Sequence, residues 1–226
     1  MNQPIVESRD AVTLIAGGPC TARDLALALR RAPVLVAADG GADRALALGR
    51  DPVAVIGDFD SVSAAARQRL AGRLFPIAEQ ETTDFDKALR SVSAPFLLAV
   101  GVAGGRVDHE LAVLSGLVRH RAEGGRMPCL LIGAQDVIFA APPVLDLRLH
   151  PGDRLSLFPM ARVTGRSRGL QWPIDGLDLA PDGRIGTSNR VSAPRVRLEF
   201  DAPGMLVILP RARLDAALRG LLEAGV

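Results

Sequence analysis

The sequence predicts an N-terminal α/β domain with a mostly parallel sheet, followed by a C-terminal β-sandwich domain. Two observations lead to this fold class. Before about residue 140, short apolar runs alternate with helical patterns, which is typical of a parallel sheet covered by helices. Beyond that point, short strand-like runs are separated by Pro/Gly turns, as in sandwiches. We therefore predict domains at residues 1–140 and 141–226, and a hydrophobic content of 48% is ample for a core.

The N-terminal elements follow one another in a regular order. Apolar runs predict five strands, at residues 12–16, 34–38, 53–56, 96–100 and 129–132. Helical patterns lie at about 22–30, 64–71, 84–91 and 108–122. This alternation favours a Rossmann-like sheet in which ligands bind beyond the carboxyl ends of the strands.

The C-terminal elements begin after two prolines at 142–143. The predicted strands cover residues 145–149, 154–158, 196–200 and 205–209. Turns such as Pro151-Gly152 and Pro203-Gly204 separate them. An amphipathic stretch at 214–222 predicts a final helix that packs on one domain.

Charge and apolar content exclude several classes of protein. The 27 basic and 25 acidic residues are mixed along the chain and give a net charge of +2, so we expect no nucleic-acid partner. The longest apolar runs, such as 96–105, are about half of the ~20 residues that a membrane span needs. Since the N-terminus also lacks the basic flank of a signal peptide, we expect a cytoplasmic protein without membrane association. The two cysteines, Cys20 and Cys129, adjoin predicted strands, and we expect buried, reduced thiols.

Four acidic motifs carry the functional prediction. They cover residues 37–43, 55–61, 81–87 and 104–109, and three of them lie at the carboxyl ends of predicted strands. Mg²⁺ prefers hard oxygen ligands and usually takes one or two carboxylates together with substrate phosphates. The motifs therefore predict a site for a polyphosphate with Mg²⁺.

The second motif gives the strongest signal. If the backbone stays extended after Gly57, Asp58 and Asp60 project from the same side while Phe59 points to the core. Two adjacent carboxylates repel each other unless a cation lies between them. One of them could instead cap the helix that follows, but serines stand nearer to its start. The first motif, Asp39-Gly40-Gly41, permits a sharp turn close to a ligand, although it could also be an ordinary turn.

The third motif contains the only lysine of the chain. Thr83 is a natural N-cap, with Asp84 in the first helical turn. The 27 basic residues include one lysine, Lys87, which leaves 26 arginines. Because an ammonium and a guanidinium differ at a phosphate, this bias favours a functional Lys87. The alternative is a simple pair between Asp84 and Lys87 at helical spacing.

The fourth motif combines glycines with charged side chains. Gly104 and Gly105 precede a predicted helix, where free N–H groups attract an anion, and Arg106 adds a bidentate donor for phosphate. The motif lacks the Gly-Lys-Ser/Thr of a Walker A loop and the spacing of dinucleotide folds. With Asp108 and His109 adjoining, phosphate binding is favoured, although a histidine that opens a helix is as often structural.

The order and wording of these motifs resemble the thiamine pyrophosphokinase (thiamine diphosphokinase) family, which makes thiamine diphosphate from ATP and thiamine. In that family, segments like 39–42, 57–61, 83–84 and 104–109 line the ATP·Mg²⁺ site of an α/β domain. The resemblance reaches the second domain, where Gly-Leu-x-Trp/Tyr-Pro and Ser-Asn segments of the family accompany thiamine; here they are residues 169–173 and 188–189. An aromatic face at Trp172 also suits a cationic heteroaromatic ligand, although a core tryptophan is the alternative.

The resemblance implies roles for individual residues. It implies attack of the thiamine hydroxyl on the β-phosphorus of ATP with AMP as leaving group, and a homodimer in which the β domain of one chain completes the site of the other. The catalytic residues implied are Asp58, Asp60, Asp84 and Asp108, the first three at the metal and the last at the hydroxyl proton, with Asp39 as a further candidate at the metal. The ATP- and phosphate-binding residues implied are Asp39, Gly40, Gly41, Lys87, Gly104, Gly105, Arg106 and His109. Those for thiamine are Trp172, Ser188 and Asn189.

Two departures from the family pattern leave two alternatives open. Glu81 stands where the family often has Asp, and Val113 where it often has Asn. One alternative is a pyrophosphokinase for another alcohol such as a hydroxymethylpterin, against which Trp172 and the Ser-Asn pair argue. The other is a regulatory module that binds ATP without turnover.

Overall fold

The computed structural model describes residues 3–225, which form two compact units. Unit 1 contains the chain up to Gly116 together with Leu131–Ala134, and unit 2 contains Leu117–Leu130 and the chain from Gln135 onward. Because the chain passes between the units more than once, the domain bounds 1–140 and 141–226 stay a prediction.

The elements in unit 1 and around the unit boundary alternate as expected. The strands are β1 (Val6–Glu7), β2 (Val12–Ile15), β3 (Val34–Ala38), β4 (Ala54–Gly57), β5 (Leu74–Pro76), β6 (Val92–Ser93), β7 (Leu97–Val100) and β8 (Cys129–Ile132). The helices are α1 (Ala22–Leu29), α2 (Gly41–Ala47), α3 (Ala64–Arg69), α4 (Asp84–Arg90) and α5 (Val107–Ala122).

The parallel sheet of unit 1 places the strand ends side by side. Its order is β7-β2-β3-β4-β5, with β8 beside β7, and each neighbouring pair from β7 to β5 is parallel. The four central strands are buried at every residue except Val34 of β3, as in a sheet with both faces covered. The carboxyl ends of β3 and β4 therefore lie next to each other, at the edge where their loops begin.

The turn after β3 leads directly into a helix. A Cβ atom at Gly41 would lie 2.0 Å from the carbonyl oxygen of Ile15 in β2, so only glycine allows α2 to start this close to the sheet. The sequence predicted the turn at 39–41 but not the helix that follows. It also missed the short strand β5, since three residues give too little pattern.

Unit 2 contains two antiparallel sheets. The strands are β9 (Asp136–Ala140), β10 (Val144–Arg148), β11 (Arg154–Pro159), β12 (Gly165–Arg168), β13 (Gly186–Arg190), β14 (Arg195–Phe200) and β15 (Met205–Pro210). One sheet has the order β10-β14-β12, and in the other β9, β15, β11 and β13 are neighbours in this order. Helix α6 (Leu214–Glu223) packs on β10 and β15 through a buried face that includes Leu218 and Leu221.

The predicted fold class is confirmed: a mostly parallel α/β sheet is followed by an antiparallel β domain. Each of the four strands predicted after residue 142 exists, but β9, β12 and β13 were missed. Both cysteines are buried, as expected, and neither forms a disulfide within residues 3–225. Among the described residues, no helix has the length and apolar character that crossing a bilayer requires.

Candidate active site

Three carboxylates meet where β3 and β4 end. Asp39 follows β3, and Asp58 and Asp60 follow β4. One oxygen from each of the three carboxylates lies within 4.8 Å of the other two, close enough to share a metal ion. Asp39 is buried, Asp58 is partly exposed and Asp60 is exposed, so the cluster opens towards solvent. This group could hold a metal.

The backbone forms this cluster through a left-handed turn at Phe59 that the sequence pattern did not predict. The extended backbone assumed through Asp60 is wrong, because β4 ends at Gly57 and Phe59 has a left-handed φ of 67°. Phe59 is nevertheless buried, as expected. A Cβ atom on Gly57 would lie 3.0 Å from Cβ of Asp39 and 3.1 Å from Oδ1 of Asp84, so glycine permits the carboxylates to approach.

Lys87 lies beneath the carboxylates. Its side chain is only 1% exposed, and its Nζ donates to Oδ2 of Asp58 at 3.1 Å and to Oδ1 of Asp84 at 3.0 Å. The helical pair with Asp84 is present, as in the simpler interpretation. The bond to Asp58 adds a partner 29 residues away, so this lysine joins α4 to the loop after β4.

The surroundings shift the pKa values of these groups in opposite directions. Burial raises the pKa of Asp39, assisted by the charges of Asp84 and Asp60 and opposed by hydrogen bonds from Gly40 and Ser61. Burial also acts to raise the pKa of Asp58, but hydrogen bonds from the Asp60 amide, Lys87 and Gln80 bring it below its usual value.

One carboxylate oxygen has no internal partner. Oδ1 of Asp39 is buried and makes no hydrogen bond within the described part of the chain. Buried carboxylate oxygens normally find a donor or a cation. By contrast, Asp60 accepts from the Ser61 hydroxyl at 2.8 Å. Within the described residues, Oδ1 of Asp39 is therefore a buried carboxylate oxygen of the cluster whose charge no hydrogen bond compensates.

The loop before α4 is held by a second set of bonds. Thr83 caps α4, as the sequence predicted, and it does so in a reciprocal capping box with Asp86. Glu79 accepts from the amides of Glu81 and Thr82 at 2.7 and 3.0 Å, and also from Arg90. These bonds fix the loop from 79 to 83.

Gln80 connects that loop to the acidic cluster. Its Nε2 donates to Oδ2 of Asp58 at 3.1 Å. Neither Gln80 nor its neighbours in this bond network, Glu79 and Arg90, were predicted as site residues. A glutamine in a loop carries no signal of its own. The acid-rich context 79–87 was the only clue.

The Gly-rich motif after β7 is open to solvent. Arg106 forms a two-pronged pair with Asp108, with distances of 3.1 and 2.5 Å, and both side chains are more than 60% exposed. The arginine lowers the pKa of Asp108, which favours its ionised form. His109 is exposed at the start of α5, and the amide of Gly104 donates to Glu110 at 3.0 Å. Arg106 and Asp108 therefore form an ion pair that is exposed to solvent.

In unit 2, the residues predicted for thiamine adjoin one another. Trp172 is 54% exposed, which excludes the alternative of a core tryptophan. The buried Asn189 uses its side chain on the main chain: Nδ2 donates to the Trp172 carbonyl at 2.7 Å, and Oδ1 accepts from the Trp172 amide at 3.3 Å. Ser188 is exposed with a left-handed φ of 59°. Asn189 therefore fixes the backbone that carries the exposed ring.

The two departures from the family pattern have different surroundings. Val113 is 7% exposed on α5, where an apolar side chain fits. Glu81 is exposed, and its amide donates to Glu79. Neither side chain belongs to the carboxylate cluster of Asp39, Asp58 and Asp60.

Comparisons with known proteins give the family of the chain. Residues 25–128 match the model of the thiamin pyrophosphokinase catalytic domain, and residues 144–205 match that of the thiamin pyrophosphokinase vitamin B1 binding domain. Thiamine pyrophosphokinase 3 of Oryza sativa subsp. japonica is 30% identical over 71% of this chain and 72% of its own. Thiamine pyrophosphokinase 1 of the same plant is 26% identical over 76% and 77%.

A solved structure shows the same fold. The thiamin pyrophosphokinase of Candida albicans superposes with a TM-score of 0.76 at 16% identity, covering 93% of this chain and 95% of that one. At this identity the superposition shows the fold, while the two domain matches and the plant relatives show the family. The chain therefore belongs to the thiamin pyrophosphokinase family, and it is an enzyme with thiamine pyrophosphokinase activity.

Proposed function

We propose that the chain carries out this reaction with Mg²⁺ held by the carboxylates at the ends of β3 and β4. The observation that carries the proposal is the cluster of Asp39, Asp58 and Asp60, whose ligand oxygens lie within 4.8 Å of one another. The donor set fits the ion, since hard carboxylate oxygens suit Mg²⁺. Oδ1 of Asp39, which is buried and has no hydrogen-bond partner in the described part of the chain, supports the same fit, because a cation would compensate it.

Each carboxylate takes a distinct part in this proposal. Asp58 and Asp60 are the direct or water-mediated ligands, and Asp39 adds a buried oxygen. Asp84 shares Lys87 with Asp58, so it acts as a ligand or as a partner that orients Lys87. When bound, Mg²⁺ neutralises negative charge on the phosphate oxygens as the pyrophosphoryl group is transferred.

The phosphates of ATP are held by groups that donate hydrogen bonds. Arg106 is exposed and offers its guanidinium to phosphate oxygens, and the backbone at Gly40, Gly41, Gly104 and Gly105 allows close approach. His109 adds an exposed ring at the start of α5. Lys87 is buried against Asp58 and Asp84, so its main role in this proposal is to neutralise these carboxylates. It would contact a phosphate only if its side chain moved away from them.

Asp108 accepts or orients the proton of the attacking hydroxyl. Aspartate is ionised at neutral pH, as accepting a hydrogen bond requires, and Arg106 lowers the pKa of Asp108 further. Attack of the thiamine hydroxyl on the β-phosphorus forms a new P–O bond, and the bond to the α-phosphate oxygen breaks to release AMP. Positioning of the two substrates supplies most of the rate.

Thiamine stacks on Trp172. The exposed indole offers a π face to a cationic heteroaromatic ring, and Asn189 holds the backbone beneath it. Ser188, exposed beside them, is available for a hydrogen bond to the ligand. The family resemblance supports a homodimer in which the β domain of one chain completes the site of the other.

One experiment tests the reaction and the site together. The purified protein is incubated with Mg²⁺, ATP and thiamine, and the products are separated by chromatography. We expect AMP and thiamine diphosphate in equal amounts; ADP with thiamine monophosphate would contradict the transfer chemistry. Asp58→Asn/Asp60→Asn should remove the activity, whereas Asp51→Asn, an exposed acid paired with Arg69, should keep it.

The two alternatives make different predictions in the same assay. A pyrophosphokinase for another alcohol would release AMP with a hydroxymethylpterin but not with thiamine. A regulatory module would bind ATP·Mg²⁺ without forming AMP. The exposed Trp172 favours thiamine over another alcohol. The acidic cluster favours an active enzyme over a module that only binds ATP.

A further inference from the structure

The turn that carries Asp58 and Asp60 is strained at its centre. Phe59 has a φ of 67°, a region that bulky L-residues rarely adopt because Cβ approaches the backbone. Its side chain is buried, which holds one side of the residue. Strained residues persist only where the surroundings fix them, so further contacts must hold the backbone side.

Arg67 supplies those contacts. From the second half of α3 its Nη2 donates to the carbonyl oxygen of Phe59, and its Nε donates to that of Val62 at 3.1 Å. The planar guanidinium thus connects both sides of the turn, which a flexible ammonium cannot do with the same geometry.

The helix that carries Arg67 is itself anchored. Ser63 caps α3 by accepting from the amide of Ala66 at 3.1 Å, and the amide of Ser63 donates to Asp43 of α2 at 2.9 Å. Arg67 therefore reaches the turn from a fixed base.

We infer that Arg67 is a positioning residue for the metal site: it holds the left-handed turn at Phe59 so that the carboxylates of Asp58 and Asp60 point at one ion. The inference rests on the proposed function, since it takes these carboxylates as ligands. Arg67 contacts main-chain oxygens rather than any carboxylate of the cluster, so it acts through geometry. Its loss should weaken metal binding beyond any loss of stability.

The test is a titration of the ATP-free protein with Mn²⁺, in which the relaxation rate of water protons reports how much Mn²⁺ is bound. Loss of a residue that orients ligands typically costs at least about 10-fold in metal affinity, and we expect this for Arg67→Met. The matched control is Arg69→Met, which removes the same charge from the same helix but only an exposed pair with Asp51. It should change the affinity by less than about 2-fold.

The reference variant Asp60→Asn separates two kinds of failure. If Asp60→Asn weakens Mn²⁺ binding and Arg67→Met does not, the inference is overturned while the proposed function stands. If neither weakens it, the ligand assignment fails and the inference falls with it. Should Arg67→Met not fold, Arg67→Lys keeps the charge but loses the fork. Weaker binding by a folded Arg67→Lys supports the inference, and wild-type affinity overturns it.

Discussion

Replacing Lys87 with methionine tests the electrostatics of the site most directly. Met is unbranched and of similar length, so it fills the space of a side chain that is 1% exposed. It leaves Asp58 and Asp84 without the ammonium that lies 3.1 and 3.0 Å from their oxygens. Like charges then face each other across a partly buried space.

The expected loss of stability follows from that geometry. Removing one partner of a buried ion pair costs about 3–5 kcal/mol. Asp58 and Asp84 are 15% and 28% exposed, so water compensates part of the loss and we expect roughly 2–4 kcal/mol. For a chain of this size each kcal/mol lowers Tm by about 2–4 °C, which gives a decrease of roughly 4–16 °C.

Calorimetry of the metal-free protein measures this decrease, and Mg²⁺ makes the test specific. A divalent cation beside the same carboxylates replaces the lost ammonium, so Mg²⁺ should raise the Tm of Lys87→Met more than that of the wild type. Arg69→Met, which breaks an exposed pair, serves as control and should cost no more than about 1 kcal/mol. A decrease for Lys87→Met no larger than for this control, with an equal response to Mg²⁺, would refute the reasoning.

Three other variants test other parts of the structure. Burial raises the pKa of Asp39, so above that pKa the charge of Asp39 opposes folding. Asp39→Asn should therefore raise the Tm of the metal-free protein at neutral pH, as measured by calorimetry. The same variant should lower the affinity for Mn²⁺ at least about 10-fold in a titration. Hydrogen bonds from Thr82 and Arg90 lower the pKa of Glu79 from 4.5 to about 2, so the ionised carboxylate stabilises the fold at pH values above 4.5. In urea unfolding experiments, the difference in unfolding free energy between the wild type and Glu79→Gln should therefore narrow as the pH falls from 4.5 to about 2. Asn189→Asp loses the donor to the Trp172 carbonyl, which should cost about 1–3 kcal/mol and raise KM for thiamine more than it lowers kcat in steady-state assays; an unchanged KM would contradict the role given to Asn189.

Local sequence patterns predicted those elements whose stability depends on their own residues. Strand β3 was predicted with its observed bounds, since a buried apolar run ends abruptly at Asp39. The N-cap of α4 at Thr83 was predicted from an equally local pattern. Helix α2 was missed because its first residue belongs to a pair of glycines, which normally indicates a turn; the reason for Gly41 is the approach of Ile15 from β2, a tertiary contact.

In the candidate site, too, local patterns predicted some residues, while others depend on tertiary contacts. Composition identified Lys87 as unusual, but only the fold shows that it reaches Asp58 as well as Asp84. Gln80 and Arg67 gave no signal, because one contacts a carboxylate 22 residues away and the other binds carbonyl oxygens. Contacts to main-chain atoms leave no complementary residue type in the sequence, so residue patterns cannot reveal them.

The charges at the strand ends would favour the binding of a further cation. Four carboxylates, those of Asp39, Asp58, Asp60 and Asp84, adjoin one lysine, and that lysine is bonded to only two of them. A site built for stability alone would pair the buried Oδ1 of Asp39, yet this oxygen has no hydrogen-bond partner within residues 3–225. The raised pKa of Asp39 expresses the same imbalance as a cost of ionisation. A metal ion that binds there, as we propose, would offset this cost.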